Sequence, residues 1–355
     1  MKHVPFRLAC FCLVLGSAYC SGKPRIHKPA IQTSTGTKIM QKDVFGMDNQ
    51  DYFTDPGKGF SDVGYRMADA GQQGLLLGGP EYVAYDKDAR FPVSCLNVAE
   101  SLPLRDHDLP SYALVAAVNT ATGAFYADNL VEQKFKKEKM DPNASLPPPG
   151  ISFDGSAGNL FARLEIPRHS AEYLITGILL DRSSNRIRIR VGSEAARTDA
   201  DKFAAEVEES AKAATTLRKP LRTRRVNQEP QSPPLPGVPG INAAIAVPPK
   251  KPFDPQDPLA LYVSYKLPQP PVKAGGKPAT ELSFHILATG TRVPTPGVER
   301  AVVPILPANR AADGTVQGFF SVDVNEGDFL EGNQTYSFYL FSGEQLGSVP
   351  KVELP

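Results

Sequence analysis

The residues best suited to chemistry in this 355-residue chain fall in a handful of short stretches. FDGSAGN, residues 153–159, resembles a nucleophile elbow, but that turn needs glycine two places before the serine, and Asp154 stands there. It reads instead as a turn leading into a strand, NLFARLEI. FTDPGKGF, residues 53–60, lacks the glycine spacing and the Ser or Thr of a phosphate loop. Asp86 and Asp88 in YDKDAR, and Asp106, His107 and Asp108 in RDHDLP, place oxygen and nitrogen ligands close together. Calcium needs six to eight oxygens, and catalytic zinc needs a second histidine at helical spacing. His27, His107, His169 and His285 are scattered, so these stretches read as solvated loops, and no metal or cofactor is expected. Cys95 alternates with Phe91 and Val93, the pattern of a small buried hydrophobe. What remains is LRKPLRTRR, residues 217–225. There Arg218, Lys219, Arg222, Arg224 and Arg225 form the one cluster suited to contact an anionic surface or a partner, or to be cut by a trypsin-like protease. Its plainer reading is the solvated start of a linker.

The N-terminus shapes where any such contact would occur. MKHVPFRLACFCLVLGSAYC, residues 1–20, has Lys2 and Arg7, an apolar run from Leu8 to Leu15, and then small residues. That is the layout of a secretory signal peptide, cleaved before Ser21 or before Tyr19. Tyr19 does not suit lipid transfer to Cys20. No later run reaches the length of a transmembrane helix, so an exported chain is expected in the periplasm, at the cell surface or outside the cell. With the signal removed after Cys20, Cys95 is the single thiol and no disulfide can staple the fold. A formal charge of +1 argues against nucleic acid as a partner. Asn143 and Asn333 fit glycosylation acceptors should the host be a eukaryote.

Beyond an N-terminal extension, residues 21–70, the segment 71–197 reads as short strands between Gly, Pro and Asn turns: GLLLGGPEYVAY, FPVSCLNV, YALVAAVN, FYADNLV, NLFARLEI, YLITGILL and RIRIRV. Such spacing predicts a β-sandwich. In RIRIRV the apolar Ile187, Ile189 and Val191 alternate with Arg186, Arg188 and Arg190, so one face covers a core and the other is cationic. Residues 198–219 change period: Phe203, Val207, Ala211, Ala214 and Leu217 mark a narrow helical stripe, which should lie against a surface without deep burial. Residues 220–258 are proline-rich and read as an interdomain linker. A second β-sandwich, residues 259–355, then follows with LALYVSYKL, ELSFHILATG, VERAVVPIL, TVQGFFSVDV, QTYSFYLFS and SVPKVEL.

The two β-regions write one pattern twice. YALVAAVN, NLFARLEI, EYLITGILL and RIRIRV correspond in order and kind to ELSFHILATG, TVQGFFSVDV, QTYSFYLFS and SVPKVEL, which points to a tandem duplication. These endings, a tyrosine-led strand, a tight polar turn and a closing apolar strand, resemble the immunoglobulin-like or fibronectin-type-III-like modules of secreted bacterial proteins. The β-rich tails of acidobacterial von Willebrand A-related proteins are one such case. The resemblance covers residues 110–192 and 280–354 and implies a fold and an existence outside the cell, with nothing catalytic. The Asp-x-Ser-x-Ser metal-adhesion motif and the antibody Cys, Trp, Cys arrangement are both absent from the sequence.

The fold expected is therefore mainly β: two tandem Ig-like sandwiches joined by an amphipathic helix and a Pro-rich linker. The function expected is non-enzymatic, a binding or structural subunit of an envelope or extracellular assembly. Its partners would be other exported proteins or further copies of itself, met through the helix and the linker. The alternative is an exported hydrolase or accessory carbohydrate-binding module, which would gather acidic residues in one cleft.

Overall fold

The structure, a computed structural model, describes residues 25–26, 74–100, 113–130, 151–213, 221–227, 233–247, 259–269, 279–290, 297–324, 330, 332 and 334–354. Residues 1–20, Asp106, His107, Asp108, Asn143, Arg218, Lys219 and Asn333 lie outside the described residues, as do residues 21–70 save Arg25 and Ile26. The strands are β1 (Arg25–Ile26), β2 (Gly74–Gly78), β3 (Tyr82–Ala84), β4 (Pro92–Glu100), β5 (Leu114–Asn119), β6 (Phe125–Asn129), β7 (Ile151–Asn159), β8 (Ala171–Leu179) and β9 (Arg182–Gly192). Helices α1 (Leu160–Arg163) and α2 (Ala200–Ala213) interrupt the series. It continues with β10 (Thr223–Arg224), β11 (Val226–Asn227), β12 (Gly240–Val247), β13 (Ala260–Leu267), β14 (Glu281–Gly290), β15 (Gly297–Pro304), β16 (Val316–Asp323), β17 (Thr335–Ser342) and β18 (Gln345–Glu353).

These strands make four sheets. In the first sandwich β2-β4-β7 faces β3-β9-β8-β5-β6, and in the second β1-β12-β13-β16-β11 is layered with β10-β15-β14-β17-β18. Leaving out the short edge strands, the seven main strands of each half follow one plan. First, second and fifth form one sheet, and fourth, third, sixth and seventh form the other. In a constant-type immunoglobulin domain the fourth strand joins the opposite sheet, so the order here stands on the fibronectin-type-III-like side of the resemblance. Each half also closes its sixth and seventh strands with a tight turn whose first residue has positive φ, Leu180 at 53° and Gly343 at 53°.

The inner faces are built by alternation, since successive side chains along a strand point to opposite sides. Val93 and Cys95 of β4, Val115 and Ala117 of β5, Tyr173 and Ile175 of β8, and Ile187, Ile189 and Val191 of β9 enter the first core. Leu261, Val263 and Tyr265 of β13, Phe284 and Ile286 of β14, and Tyr336, Phe338 and Leu340 of β17 enter the second. On β9 the alternation expected from RIRIRV is realised, with its isoleucines buried and Arg186 and Arg188 exposed.

Two local readings change. FDGSAGN lies in strand β7, and the leucine-rich NLFARLEI that follows opens as α1. The causes are local. Gly158 runs so close beneath Leu130 that a Cβ there would sit 2.2 Å from the Leu130 carbonyl oxygen, a fit only glycine allows. Asn159 then accepts hydrogen bonds from Phe91 N–H at 2.9 Å and Phe161 N–H at 3.2 Å, which ends the strand and caps the helical turn.

The larger correction concerns residues 220–258. They do not form a simple linker, because β10, β11 and β12 all lie within them and all belong to the sheets of the second sandwich. Ile241, Ala243 and Ile245 enter its core from β12. The prolines on either side hid this strand in the sequence, since GINAAIAV itself holds none and reads as a short apolar run inside a proline-rich stretch. Helix α2 lies against the first sandwich with none of its residues buried, as its alanine-rich stripe predicts.

On the open side of the first sandwich the Asn185 side chain ties the two sheets together. Asn185 of β9 accepts from Leu77 N–H at 2.8 Å and donates to the Leu77 carbonyl at 3.0 Å, standing in for a strand partner of β2. Asn185→Ala should therefore lower unfolding free energy by about 1–2 kcal/mol. Chemical denaturation checks this, and an unchanged midpoint would mean that water replaces both bonds without cost.

Candidate functional site

The sequence-nominated chemical residues serve the scaffold. Asp86 accepts from Glu194 N–H at 2.9 Å, and Asp88 accepts from Ala84 N–H at 2.7 Å while facing Arg197 at 3.6 Å. Cys95 is 2% exposed, and burial pushes its thiol up to about 12, so no thiolate nucleophile forms near neutrality. Among the described residues no three His, Cys, Asp or Glu side chains gather to hold a metal. No helix among them is long and apolar enough to cross a membrane.

Of the basic cluster, Arg222 and Arg225 are exposed. Arg224, nominated with them as a surface contact, is instead 6% exposed and forks onto Glu299, Nε to Oε2 at 2.8 Å and a terminal nitrogen to Oε1 at 2.5 Å. The reason is topological: Thr223 and Arg224 pair in parallel with Arg300 and Ala301 of β15, which turns the Arg224 side chain inward. Arg222 is held to that edge through its carbonyl, which accepts from Arg300 N–H at 2.9 Å. The described part of the cluster is thus a sheet edge, with Arg224 inside and Arg222 and Arg225 outside.

The outer face of β9 forms a shallow hollow of about 430 Å³ lined by Glu81, Glu172, Leu174, Arg186, Arg188 and Arg190. Its cations are already matched. Arg188 bridges Glu172 at 2.7 Å and Glu344 at 2.5 Å, and Arg186 donates to the Glu344 carbonyl. Arg190 lies over the rings of Tyr82 and Phe203, at 5.6 and 5.7 Å. Beside it α2 is latched: Glu206 accepts from the hydroxyls of Ser170 at 2.5 Å and Ser193 at 2.6 Å. Burial would raise the Glu206 carboxyl, but these hydroxyls and the Ser193 N–H outweigh it and hold the group below the usual carboxylate range.

Glu344 belongs to the second sandwich, so these arginines mark a seam between the halves. Leu114, Ala116 and Val118 of β5, Phe125 of β6 and Ile178 of β8 meet Leu287 of β14 and Tyr339 and Phe341 of β17 in one apolar cluster. Phe125 stacks on His285 with centroids 4.6 Å apart, and the His285 ring lies 3.3 Å from the Gly123 carbonyl. Tyr339 donates to the Leu180 carbonyl at 2.8 Å, and Lys351 pairs with Asp181 at 3.0 Å. The result is four stacked sheets with three apolar layers. A signal for this layer was present in the sequence. YALVAAVN and QTYSFYLFS are apolar at both alternate sets, as in strands covered on both faces, whereas RIRIRV is apolar on one.

The seam and core carry buried phenols. Burial pushes Tyr265 up to about 12, and burial together with Asp181 raises Tyr339 well above the ordinary value. A folded value above the unfolded one means that the native state holds the proton more tightly. This stability is full below about pH 10 and is lost as pH rises through 10 toward 12. Urea melts across that window should show a loss of about 2–3 kcal/mol from Tyr265 alone, coincident with phenolate absorbance. Stability flat to pH 12 would contradict the burial.

No protein-family model matches the chain, and no curated protein matches it. Among solved structures, a biofilm associated protein BSP domain is similar at 12% identity over 79% of this chain, with a TM-score of 0.15. The present chain spans 30% of that chain's length. Selenomethionine-substituted chicken interferon gamma receptor alpha chain is similar at 10% identity over 74% of this chain and 92% of its own, with a TM-score of 0.16.

Proposed function

We propose that this chain is a non-enzymatic structural or binding subunit that works outside the cytoplasm, within an envelope or extracellular assembly. The observation that carries this reading is the seam. Two sandwiches joined sheet to sheet through an apolar layer make a stiff block, suited to hold surfaces at fixed spacing rather than to close around a substrate. The signal-like N-terminus and the resemblance to modules of secreted bacterial proteins support export. The role expected for the Pro-rich stretch shifts accordingly: its strands build the second sandwich, and the surfaces left for partners are sheet edges and the proline loop 233–239. In that loop Leu235 and Val238 are exposed, while the Pro234 carbonyl is pinned by Ser264 at 2.7 Å and Asn242 at 2.8 Å.

Cell fractionation followed by sedimentation of the native protein tests the proposal. Exported protein running with other chains, or with copies of itself, at several times its own 38.3 kDa agrees with it. A cytoplasmic monomer overturns it. So does turnover of a glycan or peptide by purified protein that a single acidic substitution abolishes, which would favour the hydrolase alternative.

A further inference from the structure

We propose that the seam is a docking face for a second copy of this chain: two molecules exchange halves, each first sandwich closing on the second sandwich of its partner through the contacts that close it on its own. The proposal rests on the assembly reading above and names one partner for it.

The two sides of the seam match position for position. Leu179 opposite Arg182 corresponds to Ser342 opposite Gln345, so the turn of Leu180 and Asp181 corresponds to that of Gly343 and Glu344, and Ile178 corresponds to Phe341. Two residues before these, Thr176 corresponds to Tyr339. Across the sheet their partners, Ala116 and Leu287, correspond in turn. These side chains are all buried where the two halves meet.

The rim repeats its contacts in both directions. The turn of the first sandwich reaches the second: Tyr339 donates to the Leu180 carbonyl at 2.8 Å, and Lys351 pairs with Asp181 at 3.0 Å. The turn of the second reaches the first: Arg186 donates to the Glu344 carbonyl, and Arg188 pairs with the Glu344 carboxylate at 2.5 Å. The donors hold matching places as well. Arg186 stands opposite Thr176, the counterpart of Tyr339, and Arg188 stands opposite Leu174, whose counterpart Ser337 accepts from Lys351 N–H at 3.4 Å. A given position on one half thus meets its opposite number on the other, and the reverse. That reciprocity belongs to a face built about a two-fold axis, the arrangement between two copies of one unit.

Size decides which halves can pair. At each matched position the second half carries the larger side chain: Leu287 against Ala116, Phe341 against Ile178, Tyr339 against Thr176. The first half answers with Phe125, which stacks on His285 and lies 5.1 Å from Phe341. Two second sandwiches brought together by this face would collide, and two first sandwiches would leave voids beside Ala116 and Thr176. Close-packed interiors tolerate neither. A first face therefore selects a second face, and another molecule offers an identical one. Parting the seam leaves both cores covered, because Val115 and Ala117 of β5 and Ile286 and Ala288 of β14 point into them. A tethered half competes at an effective concentration of roughly millimolar order, so exchange is favoured where chains are crowded, as in an assembly.

The experiment mixes two full-length variants. Ala116→Asp places a carboxylate in the first face alone, and Leu287→Asp places one in the second alone. Each variant by itself should run as a folded monomer by circular dichroism and light scattering, because its intact face finds no match among its own copies. Mixed in equal amounts, they should give a species of twice the mass holding one chain of each kind. A second measurement needs no variant. Carbodiimide should join Lys351 to Asp181, and in a mixture of nitrogen-15-labelled and unlabelled chain at about 1 mM, joined peptides with one heavy and one light half should appear and increase with concentration. Folded variants that stay monomeric when mixed, like chains that pair as readily as unlike, or joined peptides that are all light or all heavy would each overturn the proposal. Such failure would leave the assembly reading standing, because sedimentation of the native protein with other chains tests that separately.

Discussion

Replacing Leu287 by aspartate is expected to part the two sandwiches while leaving each folded. Leu287 is fully buried, in the apolar layer that Tyr339 and Phe341 share with Leu114, Ala116 and Val118. The substitution places a carboxylate there with no partner, whereas the core residues of β14, Phe284 and Ile286, point to the other side of the strand. The cost falls on the contact between halves, at least about 4 kcal/mol for a buried charge without compensation. Leu287→Ala should give a graded version, about 2–4 kcal/mol. Calorimetry would show one cooperative transition becoming two, and small-angle scattering would show a longer particle. A single transition at an unchanged midpoint would mean that the seam contributes nothing to cohesion.

Arg224→Ala is the second large effect. It strands the Glu299 carboxylate at 4% exposure and unpins β10 from β15, and removing one partner of a buried pair costs about 3–5 kcal/mol. The melting of the second sandwich should fall and that of the first should not. Replacing both partners, as Arg224→Met with Glu299→Leu, should recover most of the loss, because the pair costs desolvation that apolar neighbours do not. If residues 220–258 were a solvated linker, Arg224→Ala would change stability by no more than about 0.5 kcal/mol. Denaturant unfolding of the two variants separates these outcomes. Loss of the whole stretch 198–252 would remove β12 and with it Ile241, Ala243 and Ile245, so the second sandwich should not survive that deletion.

Strand identity was legible in the sequence wherever one face is wet and the other dry. RIRIRV and VQGFFSVD alternate and are strands for that reason, and α2 announced itself by a three- and four-residue period. The strand plan that the two halves share was legible through the sixth and seventh strands of each. Its fifth strand was placed one element late in the first copy, because the glycines and serine of β7 look like a turn until Leu130 is seen lying against Gly158.

By itself, then, the sequence determined which segments bury a face and at what period, since that depends only on side chains a few residues apart. Tertiary structure decided what covers the faces and edges left over. Arginines that read as one surface cluster divide between solvent and a buried carboxylate because Glu299 lies 75 residues away along the chain. A short apolar run between prolines becomes a core strand because β13 offers it an edge. Strands apolar on both sides find a partner only when the two sandwiches meet. Pairing across such distances depends on the loop-closure and packing terms of the whole chain, which no local window contains.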